Sequence, residues 1–244
     1  MRTNSSIINV LEKNRSRSKV ATQLLYGETF KIIKKKGNWL KIKNDTDNYI
    51  GYIKKRKFLS KKKSTHKIFN LSANLYLKPS AKFKIKKKLS FGSRISVTEK
   101  KGEYYKFDNL WIKKKDVRKF NFKNKNLFAP VYKFKNTQYK WGGKHFSGID
   151  CSALIQLCLN YNNKFCPRDT KDQIKFFKKK IKLKNIKKND LIFWKGHVAI
   201  CISKKSLIHA YGPLKKVVVM RIKNTINRIY KTANLKVIGI RRIN

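Results

Sequence analysis

The stretch Gly148-Ile149-Asp150-Cys151-Ser152-Ala153-Leu154-Ile155-Gln156 decides how the chain is read. A glycine-started turn leads into an apolar run with helical spacing, and a cysteine stands where loop becomes helix. Asp150 is suited to the N-cap, since a short carboxylate there accepts from backbone N–H groups that have no partner inside the helix. Cys151 is then the first helical residue, where the positive end of the helix dipole favours a thiolate and lowers the thiol pKa. Leu154, Ile155 and Cys158 continue an apolar face that would anchor the helix in a core. On this stretch alone the cysteine also reads as a small buried hydrophobe. The residues downstream separate the two readings.

A nucleophilic cysteine needs a base within hydrogen-bond reach, and the base needs a group that fixes its tautomer. His197 lies in a strand-like run, Gly196 to Ile202, and His209 in the next, Leu207 to Tyr211, with a short turn at Lys204-Lys205 between them. A two-residue turn would pair Ser203 with Ser206 and put the two histidines on opposite faces. A three-residue loop or a bulge changes the parity and makes them diagonal neighbours on one face. The second register is the one expected here, because a Cys/His/His triad requires it.

Upstream of the cysteine, the pattern is short strands and turns. Val20 to Leu25, Thr29 to Ile33, Trp39 to Ile42 and Tyr49 to Ile53 read as strands, with turns at Gly37-Asn38 and Asp47-Asn48. A second set follows at Leu75 to Pro79, Ser93 to Val97, Tyr104 to Phe107 and Leu110 to Ile112. Gly27 and Lys36-Gly37 in the first set correspond to Gly92 and Lys101-Gly102 in the second, about 65 residues on, which indicates two related small barrels. Asn121 to Asn126 is polar and lysine-rich and reads as a linker. All four cysteines and three of the four histidines follow it.

Lys and Arg number 63 against 12 Asp and Glu, a formal net charge of +51. The hydrophobic content of 41% allows real cores and excludes a disordered chain. Lysines run through the whole chain rather than gathering on one helix or tail. That favours a compositional bias over a dedicated nucleic-acid face, with nonspecific attraction to polyanions at low salt. Cys151, Cys158, Cys166 and Cys201 contain no CxxC pair and read as reduced thiols, in keeping with a cytoplasmic setting. Met1 to Lys19 has no apolar signal-peptide core, and no apolar run approaches the ~20 residues of a membrane span.

The barrels resemble bacterial SH3-like domains, and Thr22-Gln23-Leu24-Leu25-Tyr26-Gly27-Glu28 is similar to the first such domain of multi-domain cell-wall peptidases. The later motifs occur in an order that resembles the NlpC-type cysteine peptidases, bacterial enzymes that cut peptidoglycan peptides. They are Tyr139-Lys140-Trp141-Gly142-Gly143, Asp150-Cys151-Ser152, Pro167-Arg168-Asp169, Asn189-Asp190-Leu191, Gly196-His197-Val198 and Ile208-His209-Ala210. The resemblance implies an α+β chain: two small all-β SH3-like barrels at 1–59 and 66–119, then a papain-like catalytic domain at 127–244. In that domain a helix carrying the cysteine packs on an antiparallel sheet carrying the histidines. It also implies Cys151 as nucleophile, His197 as base and His209 as the orienting third member. Tyr139 would lie beside the nucleophile and help bind the oxyanion. Asp150 and Ser152 would shape the substrate pocket, and the Thr170 hydroxyl would face it. No metal or other cofactor is required. Ala153, Asn189 and Gln138 depart from the pattern without removing a catalytic group.

The implied reaction is hydrolysis of the bond between γ-D-glutamate and the following diamino acid. Two barrels ahead of the catalytic domain resemble the subgroup that acts as dipeptidyl-peptidases on free cell-wall peptides, where the first barrel closes the cleft and demands a free L-alanine amine. Tyr49 is the candidate for shape, and Glu12 or Asp150 the carboxylate for that amine. The open alternatives are an exported endopeptidase acting on polymeric peptidoglycan and a non-catalytic polyanion-binding protein. Trp141, Phe193 and Trp194 are expected in the core. Arg168, Asp169, Gln156 and Gln173 are expected in structural roles, and His66 on the surface.

Overall fold

A computed structural model describes residues 1–243; Asn244, the last residue of the expected 127–244 domain, lies outside them. The first sheet contains β1 (Ile7–Leu11), β2 (Val20–Leu25), β3 (Phe30–Lys36), β4 (Trp39–Asn44) and β5 (Ile50–Lys54), in the antiparallel order β2-β1-β5-β4-β3. Alternation sends Ile8, Val10, Leu24, Leu40, Ile42 and Ile53 into one small core with Phe30 and Phe58. The second all-β unit contains β6 (His66–Ile68), β7 (Ser72–Tyr76), β8 (Lys84–Ser90), β9 (Arg94–Ile95), β10 (Glu99–Lys101), β11 (Tyr104–Phe107), β12 (Leu110–Lys113) and β13 (Val117–Lys119). These form a five-stranded and a three-stranded sheet around Leu75, Leu89, Phe107 and Ile112. The stretch expected as a linker is held in place: Asn124 N–H donates to Asn162 Oδ1 at 2.7 Å.

The remaining elements are β14 (Lys144–His145), β15 (Gly148–Ile149), α1 (Cys151–Tyr161), α2 (Thr170–Phe176), β16 (Lys179–Lys180), β17 (Leu191–Trp194), β18 (His197–Cys201), β19 (Ser206–Tyr211), β20 (Lys216–Arg221), α3 (Ile222–Ala233) and β21 (Val237–Arg242). One antiparallel sheet runs β16-β21-β17-β18-β19-β20. Strand alternation divides its side chains between two helices. Phe193, Val198, Ile200, Ile208 and Ala210 meet α1, and Trp194, Ala199, Cys201 and Leu207 meet Ile222 and Ile229 of α3. The architecture is the α+β arrangement expected, with helix α1 on an antiparallel sheet that carries both histidines.

Residues 22–28 join the three units. Leu24 belongs to the first core, Leu25 to the core beneath α1, and Tyr26 to the second barrel's core. Gly27 has φ +78°, and a Cβ there would stand 2.0 Å from the Arg94 carbonyl oxygen, so only glycine fits. The Tyr26 hydroxyl donates to Asp108 at 2.6 Å, and that carboxylate also holds Arg2. Glu28 pairs with Lys144 at 2.9 Å, with side chains 4% and 0% exposed. Removing one member of such a pair leaves a buried charge without a counter-ion, which costs far more than an exposed pair contributes. Glu28→Gln should therefore lower unfolding stability by about 3–5 kcal/mol, read as a shift in the urea midpoint. A loss below about 1 kcal/mol, the value of a surface pair, would contradict the account.

Candidate active site

Asp150 caps α1 as the sequence suggests: its Oδ1 accepts from Ala153 N–H at 2.8 Å. Its Oδ2 accepts from Gly142 N–H at 2.9 Å. Gly142 has φ +70°, and a Cβ there would meet the Val20 carbonyl oxygen at 2.5 Å, so the Trp-Gly-Gly turn is fixed by sterics. Cys151 is 6% exposed. Its Sγ lies 4.0 Å from the Gly196 carbonyl oxygen, and the Val198 and Ser152 N–H groups also reach it. The thiol thus touches the backbone on both sides of His197.

The expected acidic thiol is not what the structure gives. Burial, aided by the Asp150 charge, pushes the Cys151 thiol up to about 12, outweighing the Val198 and Ser152 N–H groups and Arg168. The dipole effect at a helix end is modest beside complete removal of the thiolate from water. Cys151 rests as a neutral thiol, and no hydrogen bond joins it to His197 among the described residues.

The hairpin has the register that the triad needs. Ile200 lies opposite Ile208 and Cys201 opposite Leu207. Both Ile202 and Ser203 N–H donate to the Ser206 carbonyl, leaving a loop of three residues, 203–205. Continued along the strands, this register sets Ala199 opposite His209, with His197 two residues away on the same face. The rings meet, His197 Nε2 to His209 Nδ1 at 2.9 Å. His209 Nε2 lies 3.4 Å from Met220 Sδ, and Tyr211 stacks on the His209 ring with centroids 4.7 Å apart.

Burial lowers His197 to about 4 and His209 to about 3, the latter helped by His197, so each carries one proton near neutral pH. A thioether accepts but cannot donate. The proton of His209 therefore lies on Nε2, toward Met220. Its Nδ1 then accepts from His197 Nε2–H, and the lone pair of His197 is left on Nδ1, the nitrogen a base would use. Met220 thereby fixes both tautomers through one weak hydrogen bond.

Arg168 sits behind the cysteine. Its guanidinium donates to Asp150 Oδ2 at 2.5 Å, to Asp150 Oδ1 at 3.1 Å, to Ser152 Oγ at 2.7 Å and to Thr22 Oγ1 at 2.8 Å. The structural role expected for Arg168 is thus borne out by geometry. Gln156 and Gln173 are also fully buried, the first bonded to Asp47 and the second to the Ser152 and Pro167 carbonyls.

A cavity of about 330 Å³ opens over Cys151. Tyr139, Asp150, Ser152, Thr170, Tyr49 and Glu12 all line it, so every pocket residue expected from sequence is brought together. Glu12 and Tyr49 come from the first barrel, the others from the catalytic unit. Burial holds the Tyr139 hydroxyl above its ordinary value, with the Asp150 charge and, once it ionises, the Cys151 thiolate adding to the effect. Tyr49 is pushed up to about 12 by burial and by the nearby Asp169 and Glu12 charges. Asp150 faces the cavity with its carboxylate already committed to Arg168 and two backbone N–H groups, which leaves Glu12 as the freer of the two candidates. Asp169, assigned only a structural part from sequence, also lines the cavity, with its carboxyl raised by burial. Its signal in the sequence is its place beside Arg168 in Pro167-Arg168-Asp169. Trp141 corrects an expectation: it is 63% exposed at the cavity rim rather than in the core, whereas Phe193 and Trp194 are buried as expected. The glycine pair after it turns the chain before the indole can reach the interior. His66 is half-buried against Tyr105 rather than a free surface group. Among the described residues, no three His, Cys, Asp or Glu side chains are placed to hold a metal ion. Nor is any helix there long and apolar enough to cross a membrane.

The tautomer assignment makes a prediction. In ¹⁵N-resolved NMR, His209 should show a protonated Nε2 and an unprotonated Nδ1. Met220→Leu, which keeps volume and removes the acceptor, should populate the other tautomer or blur the two by exchange. An unchanged spectrum would remove Met220 from the chain of hydrogen bonds.

Comparison with known proteins agrees with this geometry. Residues 136–236 match the NlpC/P60 family, and residues 10–58 match the bacterial dipeptidyl-peptidase Sh3 domain. Dipeptidyl-peptidase 6 of Lysinibacillus sphaericus is 34% identical over 85 residues, 35% of this chain and 31% of that protein. The γ-D-glutamyl-L-lysine dipeptidyl-peptidase of Bacillus cereus is 24% identical over 227 residues, 79% of this chain and 68% of that protein. The similarity thus spans about a third of the first relative's length and about two thirds of the second's. The crystal structure of an NlpC/P60 family protein from Bacillus cereus superposes with a TM-score of 0.84 at 20% identity, covering 99% of this chain and 98% of that one. That likeness extends the shared fold over both barrels and the catalytic unit. The chain therefore carries an NlpC/P60 family domain, preceded by a bacterial dipeptidyl-peptidase Sh3 domain.

Proposed function

We propose that the chain is a cysteine peptidase that hydrolyses the bond between γ-D-glutamate and the following diamino acid of peptidoglycan stem peptides, acting on free peptides inside the cell and releasing L-Ala-γ-D-Glu. The observation that carries this reading is the cavity over Cys151, walled by the first barrel and lined with acid. The whole chain has 12 Asp and Glu residues, and three of them, Glu12, Asp150 and Asp169, line this one cavity beside Arg168 and Lys171; since Asp150 is spent on Arg168, Glu12 and Asp169 are the acids left to meet a cation. In a chain of net charge +51, that concentration marks a place for a cation. A free α-amine at the end of a short peptide satisfies it. We read the first-barrel wall, which brings Glu12 and Tyr49 to the cavity, as favouring a chain end over a continuous polymer. The name of the Bacillus cereus relative, a γ-D-glutamyl-L-lysine dipeptidyl-peptidase, supports the same bond.

The chemistry follows from the hydrogen-bond chain. The Cys151 proton passes to Nδ1 of His197 as Sγ attacks the γ-carbonyl carbon. Both groups are neutral at rest, so thiolate and imidazolium form together and stabilise each other. The oxyanion meets backbone N–H groups at the start of α1 and the Tyr139 hydroxyl. The tetrahedral intermediate collapses, the C–N bond breaks, and His197 donates its proton to the leaving amine. Water, deprotonated by His197, then attacks the thioester and regenerates the thiol. His209 holds the imidazole in the required tautomer throughout.

Incubation with L-Ala-γ-D-Glu-diaminopimelate, followed by mass spectrometry, tests the reading. Wild type should release L-Ala-γ-D-Glu and Cys151→Ala none. N-acetylation of the peptide should lower kcat/KM about thirtyfold or more, the value of a charge-assisted hydrogen bond. The acid limb of kcat/KM should lie below the usual histidine value of 6.5. His197, lowered to about 4, stays unprotonated and able to accept a proton between those values. Equal turnover by Cys151→Ala, or indifference to acetylation, would contradict the reading.

A further inference from the structure

A second cavity, of about 470 Å³, lies on the other side of His197. It shares Tyr139 and Gly196 with the cavity over Cys151, so the two meet at the point where a scissile bond would cross from thiol to imidazole. Cys151 lines the first and His197 the second. If the acyl part of the substrate fills the first cavity, the leaving amine that His197 protonates carries its diamino acid into the second.

The two cavities differ in charge. The second is lined by Arg228 and Lys195 and by no carboxylate, whereas the first holds Glu12, Asp150 and Asp169 against Arg168 and Lys171. Neither the Arg228 nor the Lys195 side chain has a hydrogen-bond or ion-pair partner among the described residues. Ile229 and Ala233 of α3, with Leu235 just past its end, supply an apolar wall for a methylene stem. The polarity across the catalytic pair therefore runs from acidic to basic, matching a peptide with an amine at one end and carboxylates at the other.

We infer that this second cavity is the leaving-group site, and that Arg228 selects a diamino acid whose side chain ends in a carboxylate. Lysine ends in a bare ammonium, which two uncommitted cations repel and no lining acid receives. Diaminopimelate adds a carboxylate to its terminal amine, and the planar guanidinium of Arg228 can grip it with two parallel hydrogen bonds. Positive charge alone would attract any anion; the fork of an arginine on the apolar wall gives the preference its geometry. This inference rests on the proposed peptidase reading and adds the substrate class.

The test is a ratio measured on one enzyme. Purified full-length protein is given L-Ala-γ-D-Glu-meso-diaminopimelate, its side-chain carboxamide, and L-Ala-γ-D-Glu-L-lysine, with L-Ala-γ-D-Glu release as the readout. Wild type should prefer the diaminopimelate peptide over both others by about tenfold or more in kcat/KM, the value of a charge-assisted contact. Arg228→Gln should bring that ratio toward one, the loss falling on the diaminopimelate peptide, and Arg228→Lys should keep part of it. Arg228 is exposed on α3, and a melting curve shows that each variant is folded. Equal rates on all three peptides with wild type, or a ratio untouched by Arg228→Gln, would overturn the inference while leaving the peptidase reading intact. Release of the dipeptide from none of the three would overturn that reading and this inference with it.

Discussion

The buried pair of Arg168 and Asp150 is the interaction on which the site depends. Asp150 must cap α1 for Cys151 to stand at a helix start, and it must hold Gly142 for the Trp-Gly-Gly turn to approach Val20. A carboxylate buried to do both needs a counter-ion. Arg168 supplies it with two hydrogen bonds, and its remaining donors fix Ser152 and reach across to Thr22 of the first barrel. One guanidinium thus sets the cysteine, the pocket floor and the seam between units. The same pairing explains why Asp150 makes a poor partner for a substrate amine.

The far end of α1 is held in a parallel way. Lys67, from the second barrel, donates to the Tyr161 carbonyl and, at 2.6 Å, to the Phe122 carbonyl, with its ammonium 4.5 Å from the Tyr161 ring centroid. Burial lowers this lysine to about 8, and no carboxylate offsets it. A cation at a helix C-terminus meets the negative end of the dipole. Both barrels therefore grip the catalytic helix, the first through Thr22 and Arg168, the second through Lys67. The barrels act as a frame for the helix as well as a wall for the cavity.

Much of this was legible in sequence where the signal is local. The helix and its cap follow from Asp150 and the apolar spacing. Val20 to Leu25 and Tyr104 to Phe107 are the strands expected. The parity of the histidine hairpin could be stated as a requirement and was met by a three-residue loop. Lysine bias hid other elements: in Lys84–Ser90 the alternation of Ile85, Lys87 and Leu89 is masked because a lysine can bury its stem and still read as polar. Helix α3 has apolar residues at Ile222, Ile226 and Ile229, a helical period that stands in the sequence itself. The thiol pKa went the wrong way because burial is a property of the assembled core, while the helix dipole is visible in the local sequence. Pairings such as Glu28 with Lys144 or Arg168 with Thr22 leave no local trace, since their members lie more than a hundred residues apart.

The central claim is that Cys151, activated through the His197–His209–Met220 chain, attacks the γ-D-glutamyl carbonyl in the acid-lined cavity. It is tested most directly by rapid quenching in acid during turnover of an L-Ala-γ-D-Glu peptide, followed by intact-protein and fragment mass analysis. The account predicts a transient mass gain equal to one L-Ala-γ-D-Glu acyl group, mapped to the fragment containing Cys151 and absent from Cys151→Ala. Adduct on Cys158, Cys166 or Cys201, or release of the dipeptide with no acyl-enzyme even when the peptide's leaving group is made faster than water attack, would contradict it.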